Sequence, residues 1–444
     1  MRRDVRITWT LAVCTALALF GDATMYSVLP SEGAALGIAS VSVGWLLSIN
    51  RLVRPPLNFV TGWITDRFGP RFPYVIGVGI GALSTAGYGL VSGFWPLLAL
   101  RALWGVAWAF LAVAAYGMIL DVSEDNTRGR LAGIYASFSF LGGAVGPLIG
   151  GPLVDAYGFR AAMLVLAACT AVGCAGALTL PDTRPAGACR PRAESLTGGS
   201  SPSPSLGMRL RRARALASGL DRRLWLIAVL NFAHRFFFAG VFSATFGRLL
   251  LATFGEKTVI GPLVLGVAGL TGALLFVRNV VTVAVGPGLG YLSDRLRSRP
   301  GVLLFGEVVG VVGLAFFAAG QSLGMILIGV VLAAIAYGVV PPLLVAWMGD
   351  LSRAEGRGSL VGAYQTMGDL GSGLAPVLVY PLLDSWGVRP VYGASAAFLA
   401  LTIPLVVVSR RWAATGTEVV AAADPRAACD GIDEASGTAE KGTE

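Results

Sequence analysis

Residues 48–58 read SINRLVRPPLN and set Arg51 and Arg54 one helical turn apart in an otherwise apolar stretch. Other long apolar runs hold the arginines Arg101, Arg235 and Arg278, the acids Asp22, Glu307 and Asp369, and the chain's single histidine, His234. A charge costs roughly 3 kcal/mol at the centre of a bilayer even on a lenient scale, so none of these is expected to face lipid. Two chemistries suit such a set. Buried guanidinium groups hold oxyanions through their planar forks. A buried carboxyl near an arginine can take up and release a proton as its surroundings change.

Position divides the set. Arg54 is central in the second apolar run and Arg51 shares its face. Arg278 is central in the eighth, where Arg278-Asn279 stands against Asn50-Arg51, and His234-Arg235 is near the centre of the seventh. Arg51, Arg54, His234, Arg235, Arg278 and Asn279 are therefore the candidates for binding a small-molecule substrate. Asp22 and Asp369, then Glu307, are the candidates for handling a proton. A lone buried histidine is more often simply hydrogen-bonded, and structural pairing of the three acids with arginines competes for the same residues. Pro55-Pro56 should loosen the second run just past Arg54, which is tolerable at that depth only beside a cavity.

These side chains need an apolar frame. Only 13% of the 444 residues are charged, and the mean hydropathy is +0.72, which excludes a soluble globular protein. Runs long enough to cross the hydrocarbon recur near 7–29, 43–64, 72–91, 96–119, 131–153, 160–180, 224–247, 266–291, 301–320, 324–347, 359–383 and 390–408. They are continuous rather than alternating, so the expected fold is all-α and integral to the membrane, with twelve transmembrane helices. MRRDVR precedes an apolar run too long for a signal peptide and reads as the start of an uncleaved first helix.

Of the 34 Lys and Arg, five lie within spans and four, Arg160, Arg248, Lys257 and Arg389, fall on one side. The rest fall in segments on the other side, which the positive-inside bias makes cytoplasmic. The expectation is a multi-pass protein of the plasma (inner) membrane with both termini in the cytoplasm. The net charge of +9 thus reports topology and not nucleic-acid binding.

The chain repeats itself. Asp121, Arg128, Gly129, Tyr135, Pro147, Pro152, Asp155, Gly158 and Arg160 have identical partners at a constant spacing, from Asp350 through Pro376 and Asp384 to Arg389. GWITDR at 62–67 matches GYLSDR at 290–295. Two pseudo-symmetric six-helix bundles are expected, 1–180 and 223–409, joined by a Pro-, Gly-, Ser- and Arg-rich cytoplasmic linker at 181–222. The tail at 410–444 reads as disordered.

Several chemistries are absent from the sequence. Neither lysine, Lys257 or Lys441, follows a glycine, so there is no Walker A loop to hydrolyse ATP. One histidine and the scattered Cys14, Cys169, Cys174, Cys189 and Cys429 form no metal cluster and no histidine-based triad. No cofactor, metal or enzymatic activity is expected.

Three motifs carry a resemblance. GWITDRFGPR, with Gly62, Asp66, Arg67, Gly69 and Arg71, resembles the loop motif between the second and third helices of the major facilitator superfamily, and Gly290, Asp294 and Arg295 echo it. Gly62 is expected to let helices approach closely, and the charges to form a latch that breaks during transport. RALWGVAWA at 101–109 resembles that family's Arg-x-x-x-Gly motif, whose arginine is associated with proton coupling. Gly133, Gly142, Gly146-Pro147 and Gly150-Gly151 resemble the family's antiporter motif position by position. Glycine there lets helices pack backbone to backbone, and Pro147 is expected to kink the fifth helix.

The resemblance implies a secondary transporter working by alternating access, with its site between the halves at mid-membrane. The antiporter motif implies proton-coupled efflux of a small organic compound by a monomer. The arginine surplus supports an alternative, an importer or exchanger of an inorganic or organic anion. A non-transporting sensor or assembly factor of the same fold is the third reading, and its bundle would gain little from buried charge.

Overall fold

A computed structural model describes residues 3–124, 127–183, 222–260, 262–296, 299–351 and 357–409. The expected linker, apart from its first residues and Arg222, and the expected tail lie outside the described residues.

Helix α1 (Arg3–Glu32) is the first span, and α2 (Ser40–Leu52) with α3 (Arg54–Phe68) forms the second. α4 (Arg71–Leu90) and α5 (Phe94–Val122) are the third and fourth. α6 (Arg128–Leu178) contains the fifth and sixth, divided at Gly158, whose φ of 79° only glycine adopts readily. The seventh span is α7 (Arg222–His234), a π-helical stretch (Arg235–Phe242) and α8 (Ser243–Phe254). A hairpin follows, β1 (Lys257–Ile260) antiparallel to β2 (Leu263–Gly266). α9 (Val267–Leu296), α10 (Arg299–Ala319), α11 (Leu323–Leu351) and α12 (Arg357–Trp386) are the eighth to eleventh spans. α13 (Val388–Ala400) and helical residues 402–409 complete the twelfth.

The twelve spans fall where the apolar runs lie. Among the described residues, eight helical stretches are long and apolar enough to cross a membrane on length and composition, and one of them holds two spans. The second, third and eleventh spans are not among these. They carry Arg51 and Arg54, a run of glycines and hydroxyls, and Asp369, which suit an interior position more than a lipid-facing one.

α6 continues through Pro147 and Pro152, and its backbone leaves helical geometry only at Gly158. Thr24 Oγ1 on α1 donates 2.8 Å to the Gly146 carbonyl beside Pro147. One expectation is corrected. Gly62 meets no helix, since a Cβ built on it would touch nothing within 4 Å. The reason lies in how the halves are arranged.

The halves touch along three lines. α2 packs on α12, where a Cβ on Gly44 would lie 2.6 Å from the Pro376 carbonyl. α6 packs on α9, with Gly151 against the Ala268 carbonyl and Gly272 against that of Pro147. α1 packs on α8, where Gly247 meets Pro30 at 3.2 Å. All three lie toward the end that carries Asp155, Glu32 and the hairpin. Toward the Asp66 end, α3 has little contact with α12 and exposes Phe59 and Trp63, so the halves part there. A large core cluster of Met25, Leu46, Trp104, Phe242, Phe317 and Tyr392 with their neighbours draws on both halves and anchors the closed end.

Candidate functional site

The charges inside the spans separate into three groups. In the first, Asp22 on α1 and Arg101 on α5 form a buried ion pair, with Arg101 fully inaccessible to solvent. Arg101 Nε also donates 2.9 Å to the Leu46 carbonyl. Asn50 Nδ2 donates 3.0 Å to Asp22 Oδ1, and the Tyr26 hydroxyl, 3.3 Å from Asn50 Oδ1, closes the ring. Asp22 and Arg101, both placed with the proton on sequence grounds, thus meet as partners.

The second group occupies the interface between halves. Arg51, at the end of α2, reaches into the opposite half, where its Nη1 donates 2.6 Å to the Ala239 carbonyl and 3.4 Å to that of Ser372. Ala239 belongs to the π-helical stretch, which displaces the local hydrogen-bond ladder and is a common device at functional positions. Arg51 also lies 4.9 Å from the centroid of Tyr26. Arg54 opens α3, with its guanidinium 5.4 Å from the Trp108 ring. Arg278 on α9 stacks over Tyr337 at 4.5 Å and near Phe242 at 5.3 Å. Arg278 and Arg51 are close enough for their charges to repel one another across the interface.

Arg235 Nη2 is 3.4 Å from Gln365 Oε1. Asp369, half-buried on α12, is in electrostatic reach of Arg54, Arg235 and Tyr337. The Nε atoms of Arg54, Arg235 and Arg278 are buried with no acceptor among the described residues. Asn279, beside Arg278, is half-buried.

The third group is inside the C-terminal half. Glu307 on α10 accepts a 3.2 Å bond from Thr402 Oγ1 through Oε2. Its other oxygen has no donor and lies 4.0 Å from His234 Nδ1. His234 is sandwiched between Phe238 and Tyr337, and neither ring nitrogen has a hydrogen-bond partner. His234 therefore faces Glu307 and not the arginines with which sequence position grouped it.

The motif residues divide as sharply. Gly69, at φ 88°, ends α3, and Arg71 Nη2 donates 3.0 Å to the Leu178 carbonyl, tying the third span to the sixth. Arg67 is exposed over Trp63 and Phe68, at 5.9 and 5.8 Å, and Arg295 is exposed. The side chains of Asp66 and Asp294, and Gly290, lie outside the described residues. In the glycine motif, Gly142, Gly146 and Gly150 seat α1, where a Cβ would lie 2.5 Å from the Ala16 carbonyl and 2.7 Å from that of Phe20. Gly151 turns to the opposite half, and Gly133 faces open space.

Tyr26 and Tyr337 escaped the sequence reading. Tyr26 lies one turn beyond Asp22, and Tyr337 is a lone hydroxyl in a very apolar span, both weak signals without the fold.

A family model described as the Major Facilitator Superfamily matches residues 11–282 and 272–425. The puromycin resistance protein pur8 of Streptomyces alboniger is 33% identical over 189 residues, 41% of this chain and 37% of that protein. The synaptic vesicular amine transporter of Rattus norvegicus is 34% identical over 148 residues, 33% of this chain and 29% of that protein. The chain thus spans well under half the length of these relatives. A crystal structure of a bacterial homologue of the human lysosomal transporter Spinster, inward-facing and occupied, superposes with a TM-score of 0.72 at 17% identity, covering 93% of this chain and 98% of that one.

Proposed function

The chain belongs to the Major Facilitator Superfamily, a family of membrane transporters and not of enzymes, and from that premise we propose that it is a proton-coupled exporter of a small organic solute. It works by alternating access between two bundles, 1–180 and 223–409. The Asp66 end, both termini and the 181–222 linker face the cytoplasm, and the monomer resides in the plasma (inner) membrane. The described form is then open to the cytoplasm.

The observation that carries the proposal is the position of Asp369. It belongs to the C-terminal half, yet its surroundings include Arg54 of the N-terminal half as well as Arg235 of its own. When the halves rock, Arg54 withdraws from Asp369, so the cationic neighbours of this carboxyl differ with the side to which the site opens, which is what coupling requires. Glu307, with one unpartnered oxygen facing His234, is the second carrier. Asp22 is assigned a structural role, because its Oδ1 accepts from both Arg101 and Asn50. Efflux as the direction rests on the glycine motif and on the name of the puromycin resistance relative.

The test is made in proteoliposomes under an imposed pH gradient. The unaltered protein accumulates its solute against a concentration difference. Asp369→Asn retains solute exchange and loses accumulation, with Glu307→Gln lowering it. Gradient-driven accumulation retained in both variants overturns the assignment.

A further inference from the structure

We infer that the solute bears an oxyanion group, a carboxylate, sulfonate or phosphoryl, on a flat apolar body, and that Arg54, Arg235 and Arg278 hold it. The inference takes from the proposed function only the location of the site. It begins with a charge imbalance. Asp22 is committed to Arg101, and Glu307 lies within the C-terminal half against His234 and Thr402. Arg51, Arg54, Arg235 and Arg278 are left at the interface, where Asp22 also acts on Arg54 but Asp369 is, among the described residues, the one nearby carboxylate not already in an ion pair. Guanidinium groups in such surroundings are not sustained by their own field, since each like neighbour adds repulsion to the desolvation already incurred.

The geometry shows which donors await a partner. Arg51 is satisfied by the Ala239 and Ser372 carbonyls and acts as a strap between halves. Arg278 and Arg54 instead have aromatic rings on their faces, Tyr337 and Trp108. A guanidinium stacked on a ring can still be satisfied only in its own plane, along the Nε–Nη edge that matches a bidentate oxyanion. On Arg54, Arg235 and Arg278 that edge begins with an Nε buried without an acceptor among the described residues, and Arg278 is only 7% exposed. Three in-plane donors from both halves, two of them under aromatic rings, describe a receptor for an anion carrying a planar apolar body. A lipophilic cation would find one carboxylate among four positive charges.

Two readings on the full-length purified protein test this without any gradient, so a failure of proton coupling leaves them intact. The first needs no ligand. Arg278→Gln should raise the melting temperature of the empty protein by a few degrees, because it relieves an uncompensated charge. The second is thermal stabilisation by benzoate, phenyl phosphate, benzamide and benzylamine at matched ionic strength. The anions should stabilise, the amide and amine should not, and Arg278→Gln and Arg54→Gln should each weaken the anion effect by about tenfold or more. Arg248→Gln, at the ion pair with Asp384 outside this cluster, should leave it unchanged. A lowered melting temperature in Arg278→Gln with no selective stabilisation by either anion overturns the inference. So does stabilisation by benzylamine equal to that by benzoate, or an anion effect retained in both arginine variants.

Discussion

The Asp155 carboxylate accepts a 2.7 Å hydrogen bond from the backbone N–H of Gly269, and that bond crosses from one half of the molecule to the other. Asp155 lies just past the fifth span, and Gly269 is in the first turn of α9, where N–H groups have no intrahelical partner and the helix dipole favours negative charge. The bond is fitted: a Cβ on Gly269 would lie 2.7 Å from Asp155 Oδ2, and one on Gly266 would strike the carboxylate. Asp155→Ala should therefore release the closed end, whereas Asp155→Asn, which retains an acceptor, should hold it. Spin labels at Ala35→Cys and Lys257→Cys, in a background lacking the five native cysteines, should report a longer distance for the alanine variant alone.

The same end should respond to pH, with a definite sign. Partial burial raises the Asp155 carboxyl, offset in part by the backbone N–H groups of Gly269 and Ala268. Burial raises Glu32 as well, reinforced by the charges of Asp155 and Glu256. Groups whose proton affinity is higher in the closed form favour closure as pH falls. That contribution is complete below the ordinary carboxylate values of 3.8 and 4.5 and is lost as pH rises through the raised ones. Acidification should shorten the distance between the two labels, and Glu32→Gln with Asp155→Asn should remove most of the response.

The Asp22–Arg101 pair should behave as structure. Removing one member strands the other without its partner, which costs about 3–5 kcal/mol in buried pairs. Asp22→Asn and Arg101→Gln should each lower thermal stability steeply. The double variant should lose less than the sum of the two, because it leaves no stranded charge. An Asp22→Asn protein as stable as the original would remove the pair from the scaffold.

Residues within one motif should separate in a glycine scan. Gly133→Ala enters open space and should leave stability within about 1 kcal/mol of the original. Gly142→Ala and Gly146→Ala push into the backbone of α1 and should each cost about 1–3 kcal/mol. Gly151→Ala presses on Ala268 of the opposite half, so its effect should appear as a shift toward the open form of the label pair.

The sequence revealed the frame more readily than the site. Apolar runs of membrane length located twelve spans, and the repeat from Asp121 to Arg160 divided them into halves, because both signals are local or periodic. The partnership of Asp22 with Arg101 was hidden, since nothing along the chain says which of five arginines a given acid will meet. Pro147 stands out in the sequence, whereas the turn between the fifth and sixth spans falls at Gly158, whose positive φ no side-chain pattern announces. The π-helical stretch carries no compositional mark, and without it the reach of Arg51 into the Ala239 carbonyl is invisible. The spacing did place Arg51 and Arg54 on one face, but the folded chain sends them apart, one to opposing carbonyls and one to Trp108.

The lines along which the halves meet are made largely of main chain: Gly44 on Pro376, Gly151 on Ala268, Gly272 on Pro147. Interlocking side chains must unlatch one rotamer after another before two surfaces can part. Smooth surfaces have no such teeth. These seams behave as bearings, with little static friction and few positions in which to jam, and they leave the braking to Arg51 and Asp155, whose side chains hydrogen-bond across the halves. A molecule built this way changes its pace by altering those two brakes, without any repacking of the surfaces that slide.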